Sequence, residues 1–129
     1  MFNWVNLLAI SVGASAGAVL RWWLGAWLNN PHWLLPWGTL AANFLGAWLI
    51  GVLLGVLSWF PELPSWLRLM LMTGFLGGLT TFSTFSAETF GLLERGQTGL
   101  AFGYMGLSVS GSIGLTTLGF MVVQGVPKG

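Results

Sequence analysis

The sequence lacks cysteine altogether and has few charged residues. Without cysteine the chain has no disulfide framework, no thiolate zinc site and no thiol nucleophile. Its single histidine, His32, excludes a metal site built from several imidazoles. The 129 residues include four Lys or Arg and three Asp or Glu, whereas an ordinary soluble domain has about 25% charged residues. This scarcity argues against a soluble monomer, and the net charge of +1 excludes a basic nucleic-acid-binding protein.

Apolar residues, in contrast, are abundant. They make up 55% of the chain, and the mean hydropathy is +0.81. A bilayer core of about 30 Å needs about 20 helical residues per crossing, and the charges divide the chain into uncharged stretches of about that length. We therefore predict an all-α integral membrane protein, with residues 1–129 forming a single domain of four transmembrane helices. The spans are expected at about 4–28, 36–60, 67–94 and 98–123.

The expected ends of the spans contain residues that interrupt helices. Asn and Pro at 29–31, the two prolines in 61–64 and the glycine in 95–97 separate the spans. Ser65 is expected to be the N-cap of the third helix. Tryptophans cluster near these ends, as in interfacial aromatic belts: Trp22, Trp23, Trp27, Trp33, Trp37, Trp59 and Trp66. The small residues of 14–16 fit a signal-peptide cleavage site, but no basic residue precedes the apolar run, so we expect the first span to be retained.

The basic residues give no signal for the orientation of the chain in the membrane. With four spans, both termini lie on one side, which has Arg68 and Lys128, while the other side has Arg21 and Arg95. The positive-inside rule acts through an imbalance of Lys and Arg, which is absent here. Two interpretations remain open. Either the insertion machinery resolves a weak signal, or the chain inserts in both orientations and forms an antiparallel two-fold dimer.

Glycine is the commonest small residue and indicates close helix contacts. There are twenty glycines, roughly twice the usual share of about 7%. Three pairs are spaced four residues apart, a pattern that lets helices approach closely: Gly13 with Gly17, Gly51 with Gly55, and Gly99 with Gly103. Such pairs do not specify a function, but a chain this short favours an oligomer.

Polar residues within the predicted spans are the first candidates for function, because unpartnered polar groups are costly in lipid. Thr39 and Asn43 share one face of the second span. The fourth span has a polar stripe at four-residue intervals, formed by Tyr104, Ser108, Ser112 and Thr116. Both sets either bond to neighbouring helices or line a hydrophilic path. In the second case, the amide N–H groups of Asn43 are donors for a desolvated ligand.

The third span combines glycines and hydroxyl groups in a way that disfavours a continuous helix. Residues 74–88 read GFLGGLTTFSTFSAE, in which the Gly pair lowers helix propensity and the Thr and Ser side chains compete for backbone bonds. We expect this helix to be broken in mid-membrane, where the freed carbonyl groups can bind a cation. Phe82 and Phe85 normally would only pack, but here they lie among hydroxyls, and their electropositive ring edges can meet an anion.

Two charged residues lie inside or near the spans. Glu88 falls in the third span, where it either reaches a hydrated mouth or takes part in function. Arg21 lies near the end of the first span. It either extends to the membrane interface or adds positive potential at an anion entrance.

Three motifs resemble those of the Fluc family of bacterial fluoride channels, also called CrcB proteins. The first runs from Gly13 to Arg21, although Trp22 then stands where many members have Tyr. The second runs from Gly38 through Asn43 to Gly46, and the third, which is the most specific, is the Gly, Thr and Phe pattern of residues 74–85. Length and the number of spans also agree, so the resemblance covers nearly the whole chain.

The resemblance implies an antiparallel dual-topology homodimer in the bacterial inner membrane, with two pores that export fluoride passively from the cytoplasm. Its pore residues here would be Phe82, Phe85, Asn43, Ser108 and Tyr104. A polar track or its supporting residues would be Thr39, Ser83, Thr84, Glu88 and Ser112, with Arg21 in the vestibule. A structural Na⁺ at the dimer centre would be held by the backbone carbonyls of Gly77 and Thr80 from both subunits.

Other classes of membrane protein agree less well with the sequence. A small dual-topology multidrug or cation transporter is the main alternative, but it needs a membrane-embedded carboxylate, usually in the first span, and 4–28 contains none. A non-transporting assembly subunit would not need polar stripes on three helices. A membrane enzyme is not expected, because the chain has no cysteine, one loop histidine and no paired acids within a span.

Overall fold

The computed structural model is all-helical and describes residues 2–30, 32 and 34–125. Four helical stretches are long and apolar enough to cross a membrane: Trp4–Leu28, Trp37–Trp59, Ser65–Glu94 and Thr98–Gln124. The prediction of four such helices is confirmed, and the protein is a multi-pass membrane protein. Three residues used in the sequence argument lie outside the described residues: Pro31, Trp33 and Lys128.

Three of the four stretches are continuous α-helices. They are α1 (Trp4–Leu28), α2 (Trp37–Trp59) and α6 (Thr98–Gln124). Asn3 caps α1 by accepting a hydrogen bond from the Asn6 backbone N–H at 2.7 Å. The third stretch ends at Glu94, and Gly96 follows with a φ of 77°, a left-handed conformation that glycine adopts without strain.

The third stretch is composite. It begins with α3 (Ser65–Arg68), continues as a π-helical segment (Leu69–Leu76) and a short α4 (Gly77–Leu79), and resumes as α5 (Phe82–Glu94). Between α4 and α5, Thr80 (φ −88°, ψ 152°) and Thr81 (φ −147°, ψ 125°) have extended backbones, and we call them the extended pair. The expected cap at Ser65 is wrong: Pro64 holds the N-cap position and Ser65 is already helical, because the preset backbone of proline suits a helix start.

Glycines set the contacts between the helices. Helix α1 packs along the π-helical segment and α4, whereas α2 packs along α6. A Cβ on Gly17 would collide with the carbonyl oxygen of Phe75, and one on Gly51 with that of Thr116, so both positions need the absence of a side chain. A Cβ on Gly99 or Gly103 would meet nothing within 4 Å, so this pair faces outward from the single chain.

The buried core forms two clusters on either side of the extended pair. One consists of Leu40, Leu92, Ala101 and Tyr104, with Phe85 packed against it. The other consists of Ala42, Leu76 and Leu79. Large apolar side chains elsewhere are exposed along all the long helices, as expected when lipid or a second chain covers them.

Candidate functional site

The Asn43 side chain holds the extended pair in place. Its Oδ1 accepts a hydrogen bond from the Thr81 backbone N–H at 2.7 Å, and its Nδ2 donates to the Thr81 carbonyl at 3.1 Å. One amide therefore pairs with both backbone groups of Thr81, much as a neighbouring β-strand would. Asn43 has one further N–H for another acceptor.

Side chains replace the helical hydrogen bonds that the extended pair removes. In an uninterrupted helix the N–H groups of residues 81–84 would donate to the carbonyls of residues 77–80. The Thr81 N–H goes instead to Asn43, and the Thr84 N–H goes to the Thr81 hydroxyl at 3.1 Å. The carbonyl of Gly78 receives a hydrogen bond from Arg21 Nε at 3.0 Å. Arg21 thus bonds to the helix end inside the protein and does not simply extend toward the interface.

A groove of about 510 Å³ runs beside the extended pair. Asn43, Phe82, Phe85, Ser108 and Ser112 line it together with the proposed cation residues Gly77 and Thr80. The centroids of the two phenylalanine rings are 5.7 Å apart, and Phe85 lies 5.1 Å from the ring of Tyr104. Phe82 is 79% exposed in the single chain, so this wall of the groove is open.

The polar stripe of α6 has two kinds of member. Tyr104 and Thr116 at its ends bond to other helices: Tyr104 donates to Glu88 Oε1 and Thr116 to the Ala47 carbonyl, both at 2.8 Å. Ser108 in the middle is buried, and its hydroxyl has no hydrogen-bond partner among the described residues. A buried hydroxyl without a partner costs about 1–3 kcal/mol. The stripe thus includes two members that bond to other helices and one hydroxyl that bonds to no described residue.

Glu88 joins three helices through its carboxylate. Oε1 accepts from the Tyr104 hydroxyl and Oε2 from the Thr39 hydroxyl, each at 2.8 Å. The Asn29 side chain extends this network, because its Nδ2 donates to the Thr39 hydroxyl at 3.3 Å. Glu88 also lines a cavity of about 630 Å³, together with Ser83, Thr84 and Arg95. Glu88 therefore both joins helices and borders a cavity.

A third cavity, of about 200 Å³, connects the first helix to the extended pair. Arg21 lines it together with Thr39, Thr81 and Thr84. In the part of the chain that the structure describes, the guanidinium bonds to the Gly78 carbonyl through Nε, and its other N–H groups have no acceptor there. Among the described residues, no cluster of three or more His, Asp or Glu side chains could hold a metal ion.

Comparison with known proteins assigns this architecture to a family. A family model described as CrcB-like protein, Camphor Resistance (CrcB), matches residues 8–120. The chain belongs to the CrcB family. A relative from Bordetella petrii is 57% identical over 115 residues, covering 89% of this chain and 88% of its own length. Relatives from Bordetella bronchiseptica and Chromohalobacter salexigens are 55% and 54% identical and cover 93% and 90% of the chain, and 92% and 88% of their own lengths. All three relatives are named fluoride-specific ion channel FluC.

The match to the CrcB family covers every candidate site residue, from Arg21 to Ser112. It confirms the family resemblance inferred from the three motifs. The relatives carry the name of a channel, which agrees with the expectation that this chain is not an enzyme.

Two residues of this CrcB-family chain matter more than their sequence pattern suggested. Asn29 follows α1 as its C-cap, and its Oδ1 accepts from the backbone N–H of Gly38 at 2.6 Å and so caps the start of α2. Thr81 is the N-cap of α5 and the partner of Asn43. The preference of Thr for N-cap positions is a sequence signal for Thr81, whereas the contact of Asn29 with the next helix has no local signal.

Proposed function

We propose that this chain is a fluoride-selective ion channel that lets fluoride leave the cytoplasm passively. The names of its relatives support fluoride as the transported ion, and the residues that line the groove support the chemistry of anion binding. The observation that carries the proposal is the buried Ser108 hydroxyl, which has no partner among the described residues and lies in the groove that Phe82 and Asn43 also line. A donor in that position is suited to an anion that has lost its water.

The proposed pore replaces water with weak donors. Fluoride is small and strongly hydrated, so it needs close donors throughout its passage. The free N–H of Asn43, the Ser108 hydroxyl and the ring edges of Phe82 and Phe85 supply them without a full positive charge. Binding must remain weak enough for the ion to leave. Tyr104 contributes by packing against Phe85 and fixing Glu88.

The larger cavity is the proposed mouth of the pore. Ser83, Thr84 and Glu88 line it, and the neighbouring smaller cavity contains Thr39 and Arg21. We assign the hydroxyls of this region and Ser112 to a polar track. In the vestibule Arg21 supplies positive potential while its Nε holds Gly78.

The functional unit is proposed to be an antiparallel homodimer with two pores in the bacterial inner membrane. The accessible surface of 7923 Å² exceeds the roughly 6,700 Å² typical of a compact soluble monomer of 13.9 kDa. Exposed Phe82 and the uncovered glycines of α6 provide a face for a second copy. The even division of Lys and Arg between the two sides supports insertion in both orientations.

A structural Na⁺ at the dimer centre is the proposed cofactor, and the local chemistry fits it. The helical donors for the carbonyls of Gly77 and Thr80 are the N–H groups of Thr81 and Thr84, and both donate to side chains instead. Unwound carbonyls of this kind coordinate Na⁺ in membrane proteins. Both residues line the groove at the open wall, where a second subunit would add its own carbonyls.

A passive pore would suffice for removing fluoride. Hydrogen fluoride enters cells as a neutral weak acid and ionises in the cytoplasm. A negative-inside potential drives the anion outward by about 2.3 kcal/mol per charge per 100 mV. Because the membrane potential supplies the driving force, the proposed pore needs no other energy source.

The direct test is fluoride efflux from liposomes that contain the purified protein, compared with chloride efflux from matched liposomes. We expect fast fluoride efflux, little chloride efflux and no dependence on a proton gradient. Absence of selective fluoride efflux would overturn the proposed function. The main alternative, a multidrug or cation transporter, predicts proton-coupled cation exchange in the same vesicles.

Dual topology has its own test, which the lack of cysteine makes clean. A single cysteine replaces Gln97, whose side chain is exposed. The variant is treated with a membrane-impermeant thiol reagent in whole cells and again after lysis. We expect about half of the chains to react from each side. Labelling from one side only would show a single orientation and exclude the antiparallel dimer.

A further inference from the structure

One side chain connects the proposed anion path to the proposed cation site. Asn43 lines the groove with Phe82 and Ser108, and the same amide binds both backbone groups of Thr81 at 2.7 Å and 3.1 Å. Asn43 lies on α2, whereas Thr81 lies between α4 and α5. The contact therefore joins two elements that are far apart in the chain.

The contact determines what happens to the carbonyl of Gly77. In a continuous helix the Thr81 N–H would donate to that carbonyl. With a φ of −147° and a ψ of 125°, Thr81 is extended, and its N–H points to Asn43 Oδ1. Without an acceptor at position 43, the N–H would be left unpaired inside the protein, and returning to the Gly77 carbonyl would be its nearest remedy.

We infer that Asn43 is a positioning residue for the cation site: it takes the Thr81 N–H and so keeps the Gly77 carbonyl free to bind the cation. This inference rests on the proposed function. Its consequence is that a pore side chain sets the affinity for a cation that does not enter the pore. Asn43 thus has two tasks, because its amide binds both backbone groups of Thr81 and still has one further N–H. Its oxygen organises the cation site, and we assign its further N–H to the anion path.

Asp and Leu substitutions separate these tasks. In its protonated form Asn43→Asp keeps an oxygen for the Thr81 N–H and an O–H for the Thr81 carbonyl but lacks the second donor of the amide, whereas Asn43→Leu has a similar volume and no acceptor. Ser108→Ala is the control, because Ser108 lines the same groove but has no hydrogen bond to the extended pair. All three variants should lower fluoride efflux, so efflux alone cannot separate them.

The deciding measurement is Na⁺ binding to the purified dimer in detergent, titrated calorimetrically in a Na⁺-free choline buffer. We expect Asn43→Leu to bind Na⁺ at least tenfold more weakly, a loss of about 1.4 kcal/mol. Asn43→Asp and Ser108→Ala should stay within about threefold of the unmodified chain. Equal affinity for the Leu variant and the unmodified chain would overturn the inference, as would a tenfold loss in the Ser108→Ala control or in Asn43→Asp.

Failure of the Leu variant to assemble is also informative. Because a ligand stabilises the state that binds it by mass action, a variant with weakened Na⁺ affinity should recover its dimer when the NaCl concentration is raised. Recovery supports the inference, and failure to assemble at every Na⁺ concentration overturns it. If the unmodified chain binds no Na⁺, then the cation part of the proposed function fails. This outcome differs from equal Na⁺ affinities of the unmodified chain and Asn43→Leu, which would overturn only the inference about Asn43.

Discussion

Replacing Ser108 with alanine should raise the stability of the protein and lower its activity. The hydroxyl is buried and has no partner among the described residues, so its removal relieves a cost of about 1–3 kcal/mol. Removing the oxygen atom also removes its van der Waals contacts, which offsets part of this gain in stability. We therefore expect the free energy of unfolding of the fluoride-free dimer to rise by about 1 kcal/mol. Most substitutions of residues with a structural role act in the opposite direction.

The expected effect of Ser108→Ala on transport follows from the same hydroxyl. A hydrogen bond to a charged group contributes about 1.5–3 kcal/mol, and each 1.4 kcal/mol corresponds to about tenfold. If the hydroxyl donates to fluoride in the pore, its loss should reduce fluoride efflux from liposomes by roughly 10- to 100-fold. Opposite changes in stability and efflux distinguish a residue that binds the ion from one that holds the helices together.

Two neighbouring hydroxyls of α6 serve as matched controls. Thr116→Val removes a donor that bonds to the Ala47 carbonyl at 2.8 Å, so stability should fall by about 0.5–1.5 kcal/mol. Ser110 is exposed, and Ser110→Ala should change neither stability nor efflux. A Ser108→Ala variant that is less stable by more than about 1 kcal/mol but transports fluoride normally would refute the reasoning, because it would place Ser108 with Thr116.

Three further substitutions test other parts of the site. Phe82→Ile should reduce fluoride efflux strongly, because it replaces an aromatic edge with an aliphatic side chain. The dimer should remain intact by size-exclusion chromatography, because the substitution adds no volume. Unchanged efflux would remove Phe82 from the pore. Glu88→Gln places an amide N–H where Tyr104 or Thr39 now donates at 2.8 Å, so we expect a loss of about 1–3 kcal/mol in unfolding free energy, measured in detergent. Gly17→Val should abolish folding and yield no dimer, because its side chain would enter the Phe75 backbone; a folded Gly17→Val dimer would contradict the packing of α1.

The number and ends of the helices could be predicted from the sequence because they depend on local properties. Apolar length and interrupting residues place the expected second span at 36–60, and the helix runs from Trp37 to Trp59. The expected third span at 67–94 corresponds to the helical stretch Ser65–Glu94. The π-helical segment at Leu69–Leu76 could not be predicted, because an apolar stretch has the same appearance for either hydrogen-bonding pattern.

The partners of the polar residues could not be predicted from spacing. Four-residue intervals place Thr39 with Asn43 on one face of α2, but they do not say what the face meets. In the structure Thr39 meets Glu88 and Asn43 meets Thr81, which are separated from them by 49 and 38 positions. Gly77 and Gly78 remain helical, and the extended residues are the two threonines that follow. The glycines weaken the helix there, but Asn43 and Arg21 provide the bonds that favour this particular conformation.

The scarcity of charge has a structural explanation in these contacts. Glu88 and Arg21 are the charged residues that lie deepest in the helices. Each forms hydrogen bonds to groups on other helices, so both side chains stabilise the contacts between helices. A fixed cation in the narrow part of the groove would bind fluoride tightly and slow its release. The groove instead contains ring edges, an amide N–H and a hydroxyl that both lack an acceptor among the residues the structure describes. Donors of this strength can replace part of the hydration shell of fluoride and still release the ion. The proposed channel therefore requires polar groups that lack a full set of hydrogen-bond partners within the protein.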